Sequence, residues 1–172
     1  MAVLPILIAP DPVLKSKAKC VGAVDERIRA LMSDMLDTMY KAPGIGLAAP
    51  QVGVLERVIV MDIGKTEETR EPVRMANPEI VWASDQDNTY EEGCLSVPEH
   101  YSNVVRPAEV KVRYLDETGS PRELHADGLL ATVVQHEMDH LDGILFIDHI
   151  SSLKRNMILR KLLKAKKEAA AS

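Results

Sequence analysis

Near the C-terminus of this 172-residue chain stands Gln135-His136-Glu137-Met138-Asp139-His140. On a helix, residues four apart share a face, so the imidazoles of His136 and His140 can reach one ion. Glu137 lies about 100° around the helix from His136, within reach of a water beside that ion. His-Glu-x-x-His on a helix is the pattern of metal-assisted hydrolysis, with the glutamate as general base. The bare motif also fits two solvated histidines on an exposed helix face. The flanks oppose that reading, because Leu129-Leu130-Ala131-Thr132-Val133-Val134 and Leu141 surround the motif with apolar side chains. Such a helix is predicted to be buried on several sides. Buried imidazoles and a buried carboxylate need partners, and an ion supplies one.

A catalytic ion usually takes three protein ligands and leaves one position open. The longer zinc-peptidase pattern places a third histidine six residues after His140; here Gly143 is in place but that position is Phe146. Glu168 lies far off in a lysine-rich tail, and Asp148 follows His140 too closely. Upstream, Glu91-Glu92-Gly93-Cys94-Leu95-Ser96-Val97-Pro98 offers Cys94. A thiolate with two imidazoles makes a compact Cys-His-His site, although a lone cysteine is more commonly a small buried hydrophobe. A third cluster, Gly44-Ile45-Gly46-Leu47-Ala48-Ala49-Pro50-Gln51, lacks the lysine of a phosphate loop. Its glycines suggest backbone approaching something closely, and Gln51 offers an amide donor.

In this order the three clusters resemble the signature motifs of the peptide deformylase family: Gly-x-Gly-x-Ala-Ala-x-Gln, Glu-Gly-Cys-Leu-Ser and Gln-His-Glu-x-Asp-His. The resemblance runs from Pro10-Asp11-Pro12-Val13-Leu14 to the C-terminal helix, and is nearest to bacterial members with a long C-terminal helix. It implies hydrolytic removal of the formyl group from the N-terminal formyl-methionine of new proteins. It also implies one divalent ion held by Cys94, His136 and His140, iron(II) in the cell, with zinc, nickel or cobalt able to substitute. Glu137 is then the proton shuttle, and the Leu95 N–H and the Gln51 amide are the oxyanion donors. Ile45, Gly46 and Gly93 are expected to pair with an extended peptide. Leu129, Val133 and the His136 ring are expected to form the methionine pocket, with Tyr90 a further candidate. Glu92 and Arg106 are expected to form an ion pair that orients the ligands. Where some family members carry an arginine, this chain has Tyr101. The alternatives are a His-Glu-x-x-His metallopeptidase, disfavoured by Phe146, and a non-enzymatic structural metal module, which needs a fourth protein ligand.

These residues must be positioned by elements that the sequence also marks. Ile28, Leu31, Met32, Met35, Leu36, Met39 and Tyr40 recur at helical spacing, predicting a helix over Asp25–Ala42 that Pro43-Gly44 ends. Arg57–Asp62 reads as a buried strand, Lys65–Pro72 as a charged loop and Met75–Ala83 as a strand with an edge position or bulge at Pro78. Glu109–Leu115 and Arg122–Ala126 read as a hairpin, with Val110, Val112 and Tyr114 on one face. Helices are predicted at Leu129–Asp142 and Ser151–Lys167, the latter packed through Leu153, Met157, Ile158, Leu162 and Leu163. The pattern is that of an α+β protein. The resemblance adds mixed or antiparallel sheets around a central metal-binding helix, with N- and C-terminal helices.

Length suits a single catalytic domain over residues 1–172, with 151–172 as a basic tail. The chain has 1 Phe, 1 Trp and 8 Met, so its core must be mainly aliphatic, with methionine filling irregular gaps. Two cysteines, one of them a candidate ligand, exclude a disulfide framework and suit a reducing cytoplasm; Cys20 reads as structural, and His100, His125 and His149 as surface or structural. The apolar N-terminus lacks an early positive charge and is broken by Pro5 and Pro10, arguing against a signal or a membrane span. The net charge of −5 hides an asymmetry. Seven basic residues against Glu168 in 151–172 leave −11 on the remainder. Such a tail suggests an anionic partner; with the resemblance, that partner is ribosomal RNA near the exit tunnel, and neither a membrane nor DNA is expected.

Overall fold

The computed structural model describes residues 2–171. Its elements, in chain order, are α1 (Glu26–Lys41), β1 (Gly46–Ala48), β2 (Val58–Met61), β3 (Val73–Ala83), β4 (Asp87–Cys94), β5 (Val97–Pro107), β6 (Glu109–Leu115), β7 (Pro121–Asp127), α2 (Gly128–Leu141) and α3 (Ser152–Ala171). This is an α+β arrangement of a five-stranded sheet, ordered β1-β2-β3-β6-β7, and a two-stranded sheet of β4 and β5. Every strand pairing is antiparallel.

Strand alternation divides the large sheet between two helices. Val58, Val60, Leu47 and Ala76 pack with Ile28, Met32, Met35 and Met39 of α1. Ile59, Met61, Ala48 and Met75 pack with Val134, Met138 and Leu141 of α2. β2 is buried on both faces, so it reads as an unbroken apolar run rather than an alternating one. The Asp25 carboxylate caps α1 by accepting from the Ile28 N–H at 3.0 Å. A third cluster joins the N-terminal Ala9 and Leu14, Val97 and Val104 of β5, Phe146 and Ile147 of a short helical turn, and Ile158 and Leu162 of α3.

Of the edge position or bulge expected at Pro78, the structure has the bulge, since β3 lies between β2 and β6. The β3–β6 register shifts between Ala76 and Glu79, and Asn77 beside it has φ 51°. Asparagine tolerates that backbone, and here its side chain brackets Val21 with bonds of 2.7 and 2.8 Å.

Three expectations need correction. The β4–β5 hairpin was not expected; its strands are half-exposed and polar, without the clean apolar alternation of a sheet lying on a core. Cys20 is exposed rather than structural, and both cysteines are free. On α3 only Ile158 and Leu162 are buried, while Leu153, Met157 and Leu163 are 70%, 45% and 41% exposed. The helix rests on the body along a narrower stripe than its apolar content implies. No helix among the described residues is long and apolar enough to cross a membrane.

Candidate active site

α2 delivers His136, Glu137 and His140 from the middle of the molecule, all buried. Its last turn ends because Gly143 takes φ 74°. The Gly143 N–H donates to the His140 carbonyl at 3.1 Å and the Ile144 N–H to that of Asp139 at 3.0 Å. The glycine that fits a longer peptidase pattern is therefore a helix stop. Phe146 stacks its ring on His136, with centroids 6.1 Å apart, so it packs a candidate ligand and supplies none.

Cys94, the last residue of β4, meets these histidines from the hairpin. Its Sγ is 3.4 Å from His140 Nε2, and the ligand atoms of Cys94, His136 and His140 lie within 4.8 Å of one another. Tetrahedral bonds of about 2.3 Å to sulfur and about 2.0–2.1 Å to imidazole nitrogen set ligand atoms roughly 3.3–3.6 Å apart. The trio thus fits a divalent ion. No fourth His, Cys, Asp or Glu joins the group among the described residues, as expected of a catalytic rather than a structural site.

Hydrogen bonds hold these groups in place. His136 Nδ1 lies 2.9 Å from Glu92 Oε1, which fixes the ring and leaves its other nitrogen for the ion. Arg106 clamps Glu92 at 2.6 and 2.9 Å, as the sequence suggested. Arg106 also donates to Asp139 Oδ2 at 2.8 Å, and that same oxygen lies 2.8 Å from His149 Nε2. Burial pushes the Glu92 carboxyl upward, but the bonds from His136 and Arg106 outweigh it and hold the pKa at about 2. Burial also opposes charge on His136, but Glu137, Cys94 and Glu92 outweigh it and hold the pKa well above the ordinary value. His140 is pushed well below, by burial and then by His136.

Two buried side-chain atoms among the described residues have no hydrogen-bond partner, Glu137 Oε1 and His140 Nδ1. Burial raises the Glu137 pKa to about 7. A carboxylate poised near neutrality with a free oxygen can accept and return a proton. Gly46 makes room for it, since a Cβ there would lie 2.3 Å from Glu137 Oε2. Gln51 is oriented from both ends: its Oε1 accepts from the Ala48 N–H at 2.9 Å and its Nε2 donates to Ser96 Oγ at 3.0 Å. Nε2 lies 3.6 Å from Cys94 Sγ, which puts an amide donor beside the trio. Ser96, fully buried, was not foreseen as the residue that sets this amide; its position two residues after Cys94 was the available signal.

Above the trio lies a cleft of about 630 Å³. Ile45, Gly46 and Gln51 line it from one side and Gly93, Cys94 and Leu95 from the other. Leu129, Val133, His136 and Glu137 line the α2 side, joined by Thr132, which was not foreseen. His140 sits beneath, almost wholly buried. Tyr90 does not line the cleft; its hydroxyl lies instead 3.8 Å from where a Gly128 Cβ would stand.

The polypeptide deformylase family model matches residues 3–156. The chain belongs to the peptide deformylase family. A peptide deformylase of Methylocella silvestris is 56% identical over 170 residues, covering 97% of this chain and 87% of that one. One from Phenylobacterium zucineum is 56% identical, covering 98% and 100%. Among solved structures, a peptide deformylase from Legionella pneumophila superposes with TM-score 0.91 at 47% identity, covering 99% of both chains. One from Ehrlichia chaffeensis gives 0.93 at 38% identity, covering 98% and 99%. The deformylase frame places the three signature motifs on three sides of one cleft.

Proposed function

We infer that the chain hydrolyses the N-formyl group from the N-terminal formyl-methionine of newly made proteins, releasing formate. The observation that carries this reading is the Cys94–His136–His140 trio beside the unpartnered Glu137 oxygen, in a chain matched to the deformylase family over 3–156. When bound, a divalent ion at the trio would acidify water and polarise the formyl carbonyl. Glu137 takes the proton from the attacking water and gives it to the departing amine. The Gln51 amide and the Leu95 N–H donate to the oxygen that becomes negative. Ile45, Gly46 and Gly93 hold the peptide extended, and Leu129 and Val133 receive the methionine side chain; their presence on the cleft wall supports these roles.

The test is formate release from formyl-Met peptides beside their unformylated counterparts, using protein with its metal quantified. Formate from the first and no peptide-bond cleavage in either supports a deformylase. Internal cleavage of unformylated peptides would favour the peptidase alternative.

Iron(II) is the resident ion in this reading, with zinc, nickel or cobalt as substitutes, since thiolate-imidazole ligation suits several late first-row metals. An iron form is then expected to lose activity in air and regain it with nickel. Residues 1–172 act as one catalytic domain in the cytoplasm, consistent with two free thiols. The basic α3 docks to ribosomal RNA, supported by Arg160, Lys161, Lys164, Lys166 and Lys167, all exposed.

A further inference from the structure

The short helical turn Phe146–His149 reaches His136 by two routes. The first is direct, since the Phe146 ring stacks on the His136 ring, 24° from parallel. The second is a line of hydrogen bonds. His149 Nε2 lies 2.8 Å from Asp139 Oδ2, and the same oxygen accepts from Arg106 at 2.8 Å. Arg106 holds both oxygens of Glu92, and Glu92 Oε1 meets His136 Nδ1 at 2.9 Å. Side-chain exposure falls along this line, from 37% at His149 and 22% at Asp139 to 7% at Arg106 and 4% at Glu92. Its outer end therefore meets water, and its inner end meets a candidate ligand.

Donor and acceptor types fix the direction of each bond. A carboxylate only accepts and a guanidinium only donates, so His149 Nε2 and His136 Nδ1 both carry the proton of their bond. Arg106 is shared between two carboxylates, and it stays square on Glu92 only while Asp139 keeps its place. His149 holds Asp139 from the side opposite the buried network. The turn that carries His149 is itself pinned, because Asp148 accepts from the Leu145 N–H at 2.9 Å and pairs with Lys15. His140 has no such support, since its Nδ1 has no hydrogen-bond partner among the described residues. Alignment of the ligand set by hydrogen bonds thus rests on the line to His136.

We propose that His149 is a positioning residue for the metal site: by bonding Asp139 it keeps Arg106 on Glu92 and, through Glu92, keeps the His136 ring aligned for the ion. This rests on the Cys94–His136–His140 ligand set of the deformylase reading and adds to it a residue outside the three motifs. A histidine that merely packed the surface would be replaceable by any ring of similar size.

The experiment uses nickel-loaded protein and measures the rate at which excess EDTA removes the nickel, together with kcat and KM on a formyl-Met tripeptide. His149→Phe keeps a ring and loses the N–H. Partners that bond a ligand directly are typically worth about 10–100-fold in metal affinity or activity, and His149 stands three side chains further out than Glu92. Nickel release is therefore expected to quicken about three- to tenfold, with kcat falling by a comparable factor and KM little changed. His149→Gln returns an amide N–H near the place of Nε2 and should restore most of both. In an Asp139→Asn background, His149→Phe should add little, because residues acting through one network are not additive.

Unchanged nickel release in His149→Phe, a loss that His149→Gln does not repair, or an effect that adds in full to that of Asp139→Asn overturns the positioning role and leaves the deformylase reading in place. Wild-type protein that takes up no metal overturns both. Loaded wild-type protein that releases no formate removes the deformylase reading, while nickel release still decides the role of His149. Should His149→Phe fail to fold, His149→Asn, whose shorter side chain leaves its amide out of reach of Asp139, is measured in its place and is expected to show the same loss.

Discussion

Glu137 carries the general-base role in the proposed reaction, and its Oε1 and His140 Nδ1 are the buried side-chain atoms among the described residues that have no hydrogen-bond partner. Glu137→Gln keeps the shape and removes the proton acceptor. It is expected to retain its metal, measured by elemental analysis, and to lose about 10²–10⁴-fold in kcat. Near wild-type turnover at neutral pH would remove Glu137 from the base role. Cys94→Ala or His140→Ala should instead lose metal and activity together, since each would supply one of three protein bonds in the proposed site; a Cys94→Ala protein that keeps a full metal equivalent would undo the ligand set. That Cys94, His136 and His140 come together was legible in the sequence because each sits in a short motif of the family. The Glu92–Arg106 pair was expected from the family resemblance rather than from spacing, since fourteen residues separate the two. Its extension through Asp139 to His149 was not, because it depends on the turn after Gly143 bringing His149 back beneath α2, and no local spacing encodes that return.

The helices and the buried strands were legible as elements, because burial imposes periodicity on them. α1 and α2 agree with their sequence patterns to within a residue or so at each end. The β4–β5 hairpin was not, although it carries Cys94, Glu92 and Arg106. Its strands face solvent along much of their length, so polar residues such as Asp87-Asn88-Thr89 stand where alternation would be sought. Close approach between elements offers a test. Gly46→Ala would drive a methyl from β1 into the Glu137 carboxylate of α2, and the flexible end must swing away. A fall in kcat larger than any loss of thermal stability is expected; unaltered kcat would show that Glu137 has room to spare.

The junction of α1 and β2 gives a pH signature. The Tyr40 hydroxyl donates to Asp62 at 2.5 Å, and burial followed by that bond raises its pKa from the usual 10.0 to about 12. The unfolded chain ionises at the lower value while the folded one keeps its proton. The contribution is therefore intact below pH 10, declines from 10 to about 12 and is gone above that. Denaturant titrations across this range should show the decline in the wild type and a flatter profile in Tyr40→Phe; equal slopes would mean that Tyr40 is not held as described.

The whole molecule separates a substrate cleft with acidic walls from a basic helix, and α3 joins the two by only a few contacts. Lys154 donates to Ser102 at 2.9 Å, and Ile158 and Leu162 enter the cluster that contains Phe146, the ring stacked on His136. Cutting the chain before Lys154 would open that cluster and disturb the site from below, confusing docking with stability. Removing residues 164–172 avoids this. It takes away Lys164, Lys166 and Lys167 with Glu168 and leaves both buried anchors. The shortened protein is expected to keep its melting temperature within a few degrees and its kcat/KM on short formyl-Met peptides. Its affinity for ribosomes should fall, and the slope of log affinity against log salt should become shallower by about 2, because each lost phosphate contact removes roughly 0.7–0.9. Sedimentation with purified ribosomes at several salt concentrations measures both quantities. A folded, active truncation with the full-length affinity and slope would show that these lysines make no contact with RNA.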